Sequence, residues 1–186
     1  MNKQSPITPA ERPSDEADLS QLDMARREGD AYQRSLTYMA RVVADSGASK
    51  RAGDYIVAYA QERAEGMYRR GDDGDLQWVE PTDENCHLEI SVSDAGDGRF
   101  IPYLNVTATL TAEDGETIGP FDVPFLWHPG LYHYGRNVRV PSDGRYTLDI
   151  HIPPPDFMRH DKTNGRRYTS PVDVRFSDVP IKTGRE

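Results

Sequence analysis

Residues 87–94 read HLEISVSD, and their alternation decides the fold. Leu88, Ile90 and Val92 fall on one side of an extended chain. His87, Glu89 and Ser91 fall on the other, because successive side chains of a strand point to opposite faces. The same period recurs on both sides of this stretch. Downstream, Leu104, Val106, Ala108 and Leu110 share a face, and a hairpin signal follows at Asp114-Gly115. After a second turn signal at Asp143-Gly144, Tyr146, Leu148, Ile150 and Ile152 face inward, and Val172, Val174 and Phe176 close the series. Upstream, Tyr55, Val57 and Tyr59 alternate in the same way, and GDLQWVEP is a short strand stopped by Pro81. Some seven or eight short strands with turn signals at this spacing predict a mainly β protein, an immunoglobulin-like antiparallel β-sandwich.

The first third of the chain has a different pattern. Residues 1–19 are rich in Ser, Pro, Asp and Glu and read as a disordered arm. From Ser20 to Ala44, Leu22, Ala25, Tyr32, Leu36, Met39 and Val43 recur at helical steps. This predicts an N-terminal amphipathic helix that covers a sheet edge or dimerises. The expected organisation is an arm over 1–19, a helical segment and linker over 20–53, a sandwich over 54–181 and a tail over 182–186.

Composition narrows the function classes. The chain has 186 residues, a formal net charge of -9 and a mean hydropathy of -0.75. Such acidity argues against nucleic acid or anionic membranes as partners. No apolar run approaches the roughly 18 residues of a membrane span. The first twenty residues contain no apolar leader, so a cytoplasmic location, or a leader missing from this sequence, is expected from the residues alone. A single cysteine, Cys86, excludes an intrachain disulfide and a cysteine-cluster metal site. It shares the parity of Leu88 and reads as a small core residue. No Ser-His-Asp order, phosphate-binding glycine loop or helical zinc motif is present. Residues 71–76, GDDGDL, lack the distal Glu of a calcium loop and read as an acidic turn.

Five histidines carry the remaining chemistry. His87 and Glu89 share one strand face and could offer a nitrogen and an oxygen to one ion, or simply face solvent. His128 and His133 lie in FLWHPGLYHYGRN (125–137), a tight loop fixed by Pro129, Gly130 and Gly135. They could share a metal, or hydrogen-bond a loop packed by Trp127, Tyr132 and Tyr134. His160 stands beside Asp161, which could orient it as a ligand or hold it in a surface ion pair. His151 falls on the polar face of its strand and is expected to be structural or exposed.

Three stretches together, HLEISVSDAGDGRFIPYLNVTATLT, LWHPGLYHYGRNVRVPSDGRYTLDI and PPPDFMRHDKTNGRR, resemble the periplasmic iron-transport protein family. Its members are small copper- and iron-binding β-sandwich proteins, often encoded beside an iron permease. The resemblance covers about residues 54–181. It implies a metal site at His87, Glu89, His133 and His160, a homodimer with the site near its interface, and an extracytoplasmic location. The family also uses a methionine seven residues before the His of His-Tyr-Gly. Here that position is Leu126, which cannot ligate. His128 and Met67 are the replacement candidates. An imidazole in place of a thioether disfavours Cu(I) and suits Fe(II), Cu(II), Zn(II) or Mn(II). The expected function is divalent-metal binding in iron uptake, without catalysis. The rivals are an interaction module that has lost its metal, with Tyr103, Trp127, Tyr132 and Tyr134 as an apolar docking patch, and an oxidase acting on the bound ion.

Overall fold

The structure, a computed structural model, describes residues 10–186. Helix α1 (Leu19–Tyr38) starts at a capping box. The Asp18 carboxylate accepts from the Gln21 amide at 2.9 Å, and Gln21 Oε1 accepts from the Asp18 amide at 2.9 Å. The helix continues into a π-helical turn, Met39–Val43.

Eleven strands follow among the described residues. They are β1 (Ser46–Ala52), β2 (Tyr55–Glu62), β3 (Met67–Arg70), β4 (Leu76–Val79), β5 (Cys86–Asp94) and β6 (Thr107–Ala112). Then come β7 (Thr117–Asp122), β8 (Phe125–Leu126), β9 (His133–Val138), β10 (Gly144–Ile152) and β11 (Val172–Ile181). A five-stranded antiparallel sheet runs β1-β2-β5-β9-β8 and a four-stranded one runs β11-β10-β6-β7, while β3 and β4 form a separate ribbon. The alternating apolar residues of β5, β6, β10 and β11 meet in one core. Leu88, Ile90, Val92, Leu110, Leu148 and Ile150 are all at most 1% exposed. This is the predicted β-sandwich. Cys86 is buried in it, and His151 is exposed beside Asp173, with Nδ1 2.7 Å from the carboxylate.

The outer face of β5 departs from expectation, because all nine of its residues are buried. The predicted stripe of α1 lies across that face rather than along a sheet edge. The Tyr32 hydroxyl is 2.9 Å from Ser91 Oγ, and Gln33 Nε2 donates to Ser93 Oγ at 2.9 Å. Met39, Ala60 and Leu131, joined by Tyr32, Leu36 and Ala44, form a second, smaller core between helix and sheet. Val43, the last residue of the stripe, stays exposed. The contact is closest at Gly29, where an added Cβ would stand 1.8 Å from the Asp97 carbonyl oxygen. Gly29→Ala is therefore expected to destabilise the protein by about 1–3 kcal/mol through overpacking. That exceeds the roughly 1 kcal/mol that alanine gains inside a helix. Thermal denaturation checks it, and an unchanged or raised Tm would contradict the docking.

Three boundaries are corrected. The linker predicted up to residue 53 contains β1, whose interior side chains are exposed, so no apolar alternation marks it. Its seven-residue ladder with β2 forms it instead. The predicted disordered arm falls in part on residues 1–9, outside the described residues, but residues 11–18 are anchored. The Arg12 backbone and the Asn164 side chain exchange two hydrogen bonds, Ser14 Oγ donates to Asp161, and Glu11 pairs with Arg167 at 2.7 Å. The predicted tail over 182–186 is also bound, with Gly184 and Glu186 bracketing Ala64 through backbone hydrogen bonds.

Candidate metal centre

The centre sits on the outer face of the five-stranded sheet, where β2, β5 and β9 run side by side. Register puts Glu62, His87 and Asn137 in one row, and Ala60, Glu89 and Gly135 in the next. His133 shares the parity of Gly135 and Asn137, so it lies on the same face. The small residues flanking Glu89 leave a hollow, into which His87, Glu89 and His133 converge. Each offers one ligand atom, and these atoms lie within 4.8 Å of one another. Glu89 Oε1 is 3.2 Å from His133 Nε2 and 3.9 Å from His87 Nε2.

The hollow is buried. His87 is 0% exposed and His133 3%. His87 Nδ1 is held 2.9 Å from Asn137 Oδ1, which accepts its proton and leaves the Nε2 lone pair facing inward. That Nε2 and both ring nitrogens of His133 lack a hydrogen bond of full geometry, although the Leu131 backbone approaches the His133 ring. Buried polar atoms are rarely left so, and three in one hollow call for a ligand. Burial pushes both imidazoles down to about 4, so they are neutral at physiological pH. Burial, reinforced by Glu62 and Glu65, pushes Glu89 up to about 8, so it holds its proton there. The contacts to Glu89 are therefore not ion pairs at neutral pH. A divalent cation reverses this balance by binding the neutral imidazoles and expelling the carboxyl proton.

The other candidates fall elsewhere. His128 lies at the rim, its ring 5.9 Å from that of His133, and its Nδ1 accepts the Gly130 amide at 3.0 Å. Met67 is half-buried on the β3–β4 ribbon. His160 is 93% exposed and pairs with Glu16 at 3.1 Å. Its loop is anchored at the far end of β2 and β5, where Arg167 meets Asp94 and the Tyr168 amide donates to Asp54. That end is about 23 Å along the strand from His87, at the usual rise per residue. Asp161 does not orient His160, because it accepts from Thr163, Asn164 and Ser14. The Asn164 bonds chiefly hold it down to about 2.

Leu126 pairs with His133 across β8 and β9 and walls the hollow. A Cβ on Gly135 would meet Leu126 Cδ1 at 2.6 Å and His87 Nε2 at 3.1 Å, so the leucine and this nitrogen flank the same glycine. Leu126→Met is expected to bring a thioether beside His87 and strengthen Cu(I) binding about tenfold or more. A chelator competition assay measures this, and unchanged Cu(I) affinity would contradict the placement. The aromatic wall expected around the loop is only partly there. Tyr134 is buried in the sandwich core, whereas Trp127 is 71% exposed.

Sequence reading missed Glu62, Glu65 and Asn137. Register would have revealed two of them, since pairing Tyr55 with Asp94 forces Glu62 opposite His87, and β9 then places Asn137 on its other side. Glu65 lies beyond β2, and its Oε1 is 3.5 Å from His87 Nε2.

Comparison with known proteins agrees with this architecture. The model of the Fe2+ transport protein family matches residues 74–181. A UPF0423 protein of Brucella abortus is 31% identical over 138 residues, covering 66% of this chain and 70% of that protein. Among solved structures, FetP of uropathogenic Escherichia coli strain F11 aligns at a TM-score of 0.62 and 24% identity, over 74% of this chain and 94% of its own. Copper-reconstituted P19 of Campylobacter jejuni aligns at 0.62 and 20% identity, over 75% and 96%. Both share the fold. The matched residues hold β5 and β9 with their histidines, and the chain belongs to the Fe2+ transport protein family.

Proposed function

We propose that this protein binds a divalent transition-metal ion, iron in the cell, and serves iron uptake as a non-catalytic carrier. The observation that carries the reading is the trio of unpaired, buried ring nitrogens on His87 and His133 beside Glu89. Family membership supports iron as the cargo. The copper-bound relatives FetP and P19 support an ion site on this fold, and copper(II) is expected to bind tightly in vitro because the affinity order peaks there. We place the protein outside the cytoplasm with a membrane permease as its partner, consistent with a FetP prepared from the periplasm. No helix among the described residues is long and apolar enough to cross a membrane. His160 stands apart from the centre within one chain. Its ligand role, implied by the family resemblance, therefore requires a second copy, and the working form is a homodimer.

Elemental analysis of protein purified without chelators, then loaded with metal, tests the reading. It predicts about one ion per chain, and loss of that ion in His87→Ala. No metal even after loading would favour the interaction-module alternative, for which Tyr103, Trp127 and Tyr132 are exposed, while Tyr134 is buried. Accelerated ferrous oxidation would replace the carrier with an oxidase.

A further inference from the structure

We propose that Glu65 is a further ligand of this ion, and that it makes the centre select Fe(II) and Mn(II) over Cu(I). The inference rests on the site reading above. The methionine that the family resemblance implies is absent, and the leucine in its place contributes no donor. His128, the nearest substitute in sequence, spends one nitrogen on its own loop and stays at the rim. Glu65, just outside the trio whose ligand atoms lie within 4.8 Å of one another, brings a carboxylate oxygen to 3.5 Å from the Nε2 of His87.

That approach is built into the fold. Asn137 Oδ1 fixes the His87 ring, while Asn137 Nδ2 donates to the Glu65 carbonyl at 2.7 Å. The Glu65 amide approaches the same Oδ1 at 3.4 Å. One side chain thus orients a buried imidazole and clamps the backbone of the carboxylate facing it. The far side of Ala64 is bonded to the C-terminal residues, which fixes the turn that presents Glu65. Glu65 also lines a cleft of about 530 Å³, together with Tyr38, Val43, Leu131 and Glu89. The side chain is about one-third exposed, so it can meet a hydrated ion and follow it inward.

The two imidazole nitrogens and two carboxylate oxygens that one chain brings make a harder donor set than one containing a thioether. Carboxylates suit Mn(II), imidazoles suit Fe(II), and neither favours Cu(I). Glu65→Gln keeps the shape and removes the anionic oxygen. Mn(II) titration of the full chain, followed by the electron paramagnetic resonance of the free ion, should show affinity falling about tenfold or more. Cu(I) affinity should stay within about threefold. Glu65→Asp, which retracts the carboxylate by one methylene, should fall between the two. If both variants bind Mn(II) as the parent does while His133→Ala does not, Glu65 is no ligand and the centre stands. If His133→Ala also binds normally, the centre itself is misassigned. Equal losses of Mn(II) and Cu(I) would overturn the selectivity.

Discussion

Replacing His133 with alanine should weaken divalent-metal binding by at least about 100-fold, or about 2.7 kcal/mol, without unfolding the metal-free protein. His133 is almost wholly buried and neither ring nitrogen makes a hydrogen bond of full geometry, so in the metal-free chain its imidazole contributes chiefly packing. Its removal leaves a small hollow and relieves two unsatisfied polar atoms, effects of opposite sign on stability. Its removal deletes one of the two imidazole donors that each chain brings to the hollow. The two states should therefore respond differently, with the metal-free Tm within a few degrees of the parent and the metal-induced rise in Tm lost. A core role alone would lower both melting temperatures together. Isothermal titration with Mn(II) and Cu(II), beside differential scanning calorimetry with and without metal, separates these outcomes.

Metal affinity should rise about tenfold per pH unit between pH 7 and 8, where one carboxyl proton is displaced per ion, and more steeply between pH 6 and 7. The residues place this window above the imidazole range expected from unperturbed histidines. Burial holds His87 and His133 near 4, so both are already deprotonated at pH 6. Glu89, raised by burial and then by Glu62 and Glu65, titrates at about 8. Glu65, also raised chiefly by burial, titrates at about 7 and adds to the slope in the lower half of the window. Glu89→Gln should flatten the profile and weaken binding. A profile that saturates by pH 6 would contradict the assignment of the proton to Glu89.

The same groups make metal-free stability depend on pH. Glu89 is raised from 4.5 in the unfolded chain, so its contribution is complete below pH 4.5 and lost as pH rises through 8. His87 and His133 are lowered from 6.5, so their contribution is present above pH 6.5 and lost as pH falls through 4. Below 6.5 the two trends oppose each other. Above it the carboxyl trend dominates, so metal-free protein should lose about 1–2 kcal/mol between pH 6.5 and 8. Added metal should offset that loss.

The sandwich was legible because its core strands alternate without interruption. A single inward set on β5, Leu88, Ile90 and Val92, determines which residues look outward, and so placed His87 and Glu89 together. The strand β1 was hidden because an edge strand with exposed side chains has no apolar period. The order in residues 11–18 was hidden because it depends on partners such as Asn164, about 150 residues away. Motif alone could not show how far His160 lies from His87 within one chain. Its loop is tied to Asp54 and Asp94, at the far end of the sheet from its own His87. Glu65 escaped notice for the converse reason. It sits in a turn with no period, and only the clamp through Asn137 brings it to the centre.

The central claim is that one divalent ion occupies the hollow formed by His87, Glu89 and His133. Anomalous scattering from a crystal of the full chain loaded with Mn(II) tests it most directly. The account predicts one strong peak about 2.0–2.3 Å from His87 Nε2, a Glu89 oxygen and a ring nitrogen of His133. A peak at the acidic surface alone, with this hollow empty at saturating metal, would contradict it.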